Sequence, residues 1–375
     1  MPHAPAARLI GVARCGGRMY DNRGPAAGPT AEQERTMKRS KHDAKDWARE
    51  HVTGIFGAAP VPYRADGSID EEGFRANLRY WRDVLGIRGQ WVAGFQSEQL
   101  GISTGQRRRL FEIAQQESDG RQIAICAVMD DVIQDALALA LFADGMGADC
   151  IGLSGPRIFT GMLGGGMPED TVFDYFDYIA GHVELPIVIL NQAAMQGYNM
   201  SPRLLARIAA LPNCVALKNA VGADLAHYHE TSRLCGDSIV VSDPNENLFF
   251  ENYTQHGQRA FVSSPAPMLL QSRDWQPMND YVRLADAGDM AGAARANAEL
   301  DIVRAALSAC LGRLGWYKYS SLSKYWFELQ GLAGGCVVYP QQELTAQDKA
   351  FVKEQFDTSG LGLTKRQREQ QHEAA

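Results

Sequence analysis

The stretch CVALKNA (214–220) is an apolar run closed by a lysine, and it is one of eight runs of the same kind. The others are GIFGAAPV (54–61), GQWVAG (89–94), QIAICAV (122–128), CIGLSG (150–155), PIVILN (186–191), SIVVSD (238–243) and RAFVSS (259–264). Each is short and apolar on both faces, the pattern of a parallel strand covered on both sides. The segments between them carry helical periodicity. In 71–85, Phe74, Leu78, Trp81 and Leu85 recur on one face, and in 168–183 Val172, Phe176, Ile179 and Val183 do the same, behind Pro168 in the first turn and Glu169 and Asp170 at the positive helix end. Eight strand-helix rounds in about 210 residues, with no GxGxxG after the first strand, predict a (β/α)8 TIM barrel rather than a doubly wound sheet.

Around that core the chain has 375 residues, 45% of them apolar and 22% charged, with 37 Lys and Arg against 44 Asp and Glu for a net charge of −7. An acidic chain without a basic stripe is a poor partner for nucleic acid. No window is apolar enough to span a bilayer and the N-terminus lacks a signal-peptide core, so neither membrane association nor secretion is expected, and the reading is cytoplasmic. The seven cysteines are scattered without CxxC or zinc-ligand spacing and are expected to be reduced, with Cys126, Cys150 and Cys214 as small core residues. Residues 1–45, rich in Ala, Gly, Pro, Arg and Lys, read as a disordered extension or as the product of an upstream start codon, since Met37 opens a more ordinary beginning. The barrel is expected over 46–270, a helical region packed on it over 271–360, and a charged tail over 361–375. Within that region 285–310 is alanine-rich and helical, and a last helix is expected near 345–356. Trp316, Tyr317, Tyr319, Tyr325 and Trp326 form a patch suited equally to a subunit contact and to a core beneath extra helices.

In such a barrel the chemistry sits at the C-terminal ends of the strands. Those ends offer Gln96, Ser97 and Glu98, Asp130 and Asp131, Arg157, Asn191, Lys218, Asp243, and Ser263 with Ser264. Lys218 stands out. An amine set in barrel packing loses solvation, its pKa falls, and the neutral form attacks carbonyls. The alternative is a plain ion pair with Glu98 or Asp243 at the barrel mouth. Metal chemistry finds little support, because His227 and His229 lie two apart on a helix and point in different directions. No GxSxG follows a strand, and the Gly161–Gly166 stretch lacks a P-loop continuation, so it reads as a loop over the mouth.

A set of landmarks then falls in one order: Pro62-Tyr63, Asp66-Gly67, GFQSE (94–98), Gly147-Ala148-Asp149, the Pro186–Asn191 run, VALKNAVG around Lys218, the Ser242-Asp243 turn, and Lys324–Gly331. In this order they resemble the dihydrodipicolinate synthase/N-acetylneuraminate lyase family of class I aldolases over roughly residues 50–360. The resemblance implies a homo-oligomer, tetramer or dimer, that needs no metal or separate cofactor. In it Lys218 forms a covalent imine with a 2-oxo acid, most often pyruvate. The imine acts as an electron sink for breaking or making the adjacent C–C bond.

The departures from the family pattern matter as much. The family's GTTGE motif, whose hydroxyls and amides hold the substrate carboxylate, is here Gly94-Phe95-Gln96-Ser97-Glu98. Its strand-five Tyr-Asn is Leu190-Asn191, and the Pro-Tyr-Tyr after strand four is Pro156-Arg157-Ile158, so the relay hydroxyls are replaced. Two readings follow. One is a Schiff-base lyase, an aldolase or hydratase-aldolase joining or releasing a bulky or apolar aldehyde, with Glu98, Arg157, Gln96 or a substrate carboxylate moving the proton. Its expected substrate-binding residues are Gln96, Ser97, Glu98, Arg157, Leu190, Asn191 and Asp243. The other is a non-catalytic metabolite-binding or sensor homologue that keeps Lys218 as an anion contact.

Overall fold

The computed structural model describes residues 40–157, 167–222 and 224–374. The extension expected at the N-terminus (up to Arg39), Ile158 and the Gly161–Gly166 stretch lie outside these. All eight expected strands form: β1 Gly54–Ala58, β2 Gly89–Val92, β3 Ile123–Ala127, β4 Cys150–Ser154, β5 Ile187–Asn191, β6 Cys214–Asn219, β7 Val240–Ser242 and β8 Ala260–Ser264. They lie in the order β7-β6-β5-β4-β3-β2-β1-β8, each pair parallel, with helices outside: a (β/α)8 barrel.

No backbone ladder joins β7 to β8. Side chains close that seam. The Val262 N–H donates to Ser242 Oγ at 2.8 Å, and the buried Gln258 amide donates to Ser242 Oγ, the Asp243 carbonyl and the Ala260 carbonyl at 3.2, 3.0 and 3.0 Å. Gln258 Oε1 in turn accepts the Asp243 N–H at 3.1 Å.

Two apolar layers result from the strand alternation. Inside the barrel Phe56, Trp91, Ile125, Val188 and Leu190 pack together, and Ala44, Trp47 and Ala48 of the helix Ala44–His51 join them. Trp91 needs the room left by two glycines. A Cβ on Gly152 would lie 2.4 Å from its ring and one on Gly94 2.5 Å from its Nε1. Between strands and helices lies the larger layer, to which the helix Glu71–Asp83 gives Phe74, Leu78 and Trp81, with Leu85 just beyond it. Asp70 caps this helix by accepting the Gly73 N–H. The helix Glu169–His182 buries its expected stripe, with Pro168 one position ahead of the first turn.

The alanine-rich segment is three helices, Pro277–Asp286, Met290–Glu299 and Asp301–Leu314, because Gly288 with Asp289 and then Leu300 interrupt the run. Tyr319–Leu329 docks on the barrel through Trp326, whose indole N–H donates to the Leu269 carbonyl at 2.9 Å. Ala346–Ser359 follows, capped by Thr345. The segment read as a charged tail contains a further helix, Lys365–Ala374, anchored where the Arg368 guanidinium stacks over Trp275. Among the described residues no helix is long and apolar enough to cross a membrane.

Candidate active site

Lys218, the last residue but one of β6, faces the barrel interior, and the register places it beside Leu190 of β5 and Ser242 of β7. Its ammonium donates to the Ser263 carbonyl at 2.5 Å and lies 5.5 Å from the Trp91 ring. Among the described residues it has no carboxylate partner, so the ion pair with Glu98 or Asp243 does not form. Burial without a counter-charge pulls its pKa from an ordinary 10.5 down to about 8. At pH 7.5 that leaves roughly a quarter of the amines neutral, against roughly a thousandth for an unperturbed lysine.

The amine opens into a cavity of about 560 Å³, a size that suits a small metabolite. Trp91, Met129, Leu190 and Met195 form its greasy inner wall, and Phe95, Trp316 and Tyr319 its rim. Phe95 and Trp316 are exposed there, at 52% and 72%. The hydroxyls on the described wall belong to Tyr319, Ser263 and Ser264. The wall's one carboxylate, Glu246, is committed to Arg304 in a two-point contact of 2.6 and 3.0 Å. Phe95 and Gln96 reach the cavity because β2 ends in a sharp turn: Ala93 and Glu98 both adopt left-handed φ angles around the short turn Phe95–Ser97. The amide N–H groups of Phe95 and Gln96 have no acceptor among the described residues, and Gln96 Oε1 is buried without a partner.

Of the residues expected from sequence, Lys218, Gln96 and Leu190 meet in this cavity. Ser263 and Ser264 also line it, and the other residues expected to bind substrate do not. Ser97 is fully buried, and its hydroxyl is spent accepting the Ala93 N–H and donating to the Ala59 carbonyl, which pins the turn. Glu98 points away from Lys218 and pairs with Lys324 beneath the Tyr63 ring, while also accepting the Val338 N–H at 2.6 Å and the Gln341 amide at 3.0 Å. Asn191 follows Leu190 by one residue and so faces the outer layer, where it bonds Asn219, Gln196 and the Met200 N–H. Asp243 sits behind the wall, accepting the Asn245 N–H at 2.8 Å, and burial lifts its carboxyl to about 6. Arg157 belongs to a neighbouring polar cleft with Arg107, Asp130 and Asp131, and is paired with Asp131 at 2.6 Å.

Sequence reasoning missed Trp91, Met129, Met195, Trp316 and Tyr319 as pocket residues. Trp91 is an inward position of β2 and could have been placed from strand parity. Trp316 and Tyr319 had no local signal tying them to the mouth, since they arrive on the turn and helix after Leu314. His227 faces the Met200 carbonyl at 2.8 Å, Thr231 on its own helix and Asn219 on the outer face of β6, and does not line the cavity.

Comparison with known proteins agrees with this geometry. Residues 51–350 match the model of the dihydrodipicolinate synthetase family. The 4-hydroxy-tetrahydrodipicolinate synthase of Nitratidesulfovibrio vulgaris (strain DP4) is 28% identical over 68% of this chain and 82% of its own length. The N-acetylneuraminate lyase of Clostridium perfringens (strain SM101 / Type A) is 28% identical over 52% of this chain and 66% of its own. Among solved structures, YagE, a prophage protein of the dihydrodipicolinic acid synthase family from E. coli K12 in complex with pyruvate, superposes with a TM-score of 0.71 at 20% identity, covering 82% of this chain and 99% of that one. With four-fifths of its length matched and a lysine at the mouth of a (β/α)8 barrel, the chain belongs to the dihydrodipicolinate synthetase family.

Proposed function

We propose that the protein is a Schiff-base lyase that joins or releases a 2-oxo acid such as pyruvate and a bulky, apolar aldehyde. The observation that carries this reading is the Lys218 amine: half-buried without a counter-charge among the described residues, lowered to about 8 by desolvation, and open to a cavity of substrate size. The neutral amine attacks the C2 carbonyl, water leaves, and an iminium forms. In the cleavage direction the C4 hydroxyl loses its proton, the C3–C4 bond breaks, and its electron pair moves into the iminium to give an enamine while the aldehyde departs. Protonation at C3 and hydrolysis return pyruvate and the free lysine.

The free amides of Phe95 and Gln96 are the donors suited to the substrate carboxylate, in place of a pair of hydroxyls. Leu190 stands beside Lys218 where a proton carrier would be useful, and a leucine moves no proton. Tyr319 is the one phenol on the described wall, and burial raises its pKa, so it stays protonated at neutral pH as a donor. We assign it the protonation of the enamine at C3, with the C4-hydroxyl proton leaving to solvent water and the phenol regaining its proton from the same source. Phe95, Trp316, Met129 and Met195 favour an aromatic or otherwise apolar aldehyde over a polyhydroxylated one.

The test is turnover of a panel of arylidene-pyruvates, whose iminium first adds water across C3=C4 to give the C4 hydroxyl that the cleavage step uses, followed as loss of their ultraviolet absorbance. Wild type consumes at least one. Lys218→Ala consumes none while keeping its far-ultraviolet spectrum and melting behaviour. Residual turnover in the alanine variant overturns the assignment, and a folded wild type that binds the panel without consuming it turns the reading to a metabolite-binding protein.

A further inference from the structure

A second cavity, of about 640 Å³, opens at the other end of the barrel, where the strands begin. Its wall includes Gly54 at the start of β1, Arg88 just before β2, Val240 at the start of β7 and Arg259 just before β8. Three guanidinium groups line it: Arg49 from the last turn of the helix Ala44–His51, Arg88 and Arg259, with the His256 imidazole beside them. The one carboxylate on this wall is Asp286, and it accepts the Tyr253 hydroxyl at 2.6 Å. Arg49 has an internal partner in Asp46, whereas Arg88 and Arg259 are exposed and have no ion pair among the described residues. In a chain of net charge −7, three arginines brought to one concave surface from three separate segments make a local positive field that the rest of the molecule opposes. The Ser232 side chain lies on the same wall beside Tyr228, and Val52, Ile239 and Val282 supply apolar surface.

We infer that this cavity binds a small polyanion, a phosphorylated or polycarboxylate metabolite with a short apolar body, at a site separate from Lys218. Arginine forks match phosphate and carboxylate oxygens in pairs, and the volume lies in the range of metabolite sites. The location fits an effector. Gln258 lines this cavity and is also the residue that ties β7 to β8, through Ser242, Asp243 and Ala260. The same seam holds the Val262 N–H, and the next carbonyl along β8, that of Ser263, holds Lys218. An occupant of the floor therefore bears on the two strands that position the reactive amine.

Calorimetric titration at constant ionic strength, with inorganic pyrophosphate and citrate as probes, tests the inference. Wild type shows a single saturable site for one or both probes, weakening as KCl is raised. Saturation by pyrophosphate alone identifies a phosphoryl ligand, and by citrate alone a carboxylate ligand. The paired variant Arg88→Gln/Arg259→Gln, which changes only exposed side chains, binds about tenfold more weakly or worse, while Lys218→Ala binds as wild type does. No saturable heat with either probe overturns the inference. So does undiminished binding in the paired arginine variant with an unchanged far-ultraviolet spectrum, and so does loss of binding in Lys218→Ala, which would place the anion in the other cavity.

Discussion

Replacing Lys218 by methionine removes the amine, keeps most of the side-chain volume, and makes the cost of burying that amine measurable. A folded-state pKa of about 8 against an ordinary 10.5 means that the unfolded chain holds the proton more tightly. Stability therefore rises with pH between those two values, and the cost of the buried charge is full below about pH 8 and gone above about 10.5. At about 1.4 kcal/mol per pKa unit, the full cost is about 3 kcal/mol, of which roughly 2.5 kcal/mol disappears between pH 7 and 10. The methionine also changes packing, but that contribution does not vary with pH. Other lysines and tyrosines titrate in the same interval, and they cancel in the difference between two proteins that differ at one site. The experiment is urea unfolding of both proteins at half-unit steps from pH 7 to 10. The stability of Lys218→Met relative to wild type should be greatest at pH 7 and decline by about 2 to 3 kcal/mol by pH 10. A difference that stays level within 0.5 kcal/mol or so across the range would show that the ammonium is not desolvated, and the case for a neutral nucleophile would fall with it.

Three further outcomes follow from the same structure. Tyr319→Phe should lower kcat by about 100-fold while leaving trapping of the imine at Lys218 intact, because it removes a proton donor and not the nucleophile; an unchanged kcat would remove Tyr319 from the reaction. Leu190→Tyr places a phenol beside Lys218 and should speed exchange of the pyruvate methyl protons with D2O, read by proton NMR, and an unaltered rate would count against a vacant shuttle position. Glu98→Gln leaves the buried Lys324 ammonium without its counter-charge and should cost about 3 kcal/mol in urea unfolding. Joint replacement by Glu98→Leu and Lys324→Met should recover much of that loss, and a single-variant cost below about 1 kcal/mol would show the pair to be weakly coupled.

The barrel was legible because each of its strands is buried on both faces and so reads as an uninterrupted apolar run between helical segments. Lys218 was legible for the same reason, as a charge in a place where charge is expensive. Its neighbours were harder, since strand parity turns on a single residue: Leu190 faces the amine and Asn191 faces the helices. In the turn after β2, Gln96 and Ser97 diverge likewise, one to the cavity and one into the loop's own hydrogen bonds. Glu98 looked available because its partner, Lys324, comes from a helix more than two hundred residues later. Trp316 and Tyr319 were visible as an aromatic patch, but only the packing of the C-terminal helices brings them over the barrel mouth. The floor cavity draws its arginines from segments that no motif connects.

Imine formation at Lys218 is read out by mass spectrometry of the intact protein and its peptides after borohydride reduction in the presence of pyruvate, then of larger 2-oxo acids. Reduction converts an imine into a stable secondary amine. One adduct per chain is expected, of the mass of the reduced 2-oxo acid, mapped to the peptide containing Lys218 and missing from Lys218→Ala. No adduct across the panel from a folded protein, or an adduct on another lysine, would contradict an imine at Lys218.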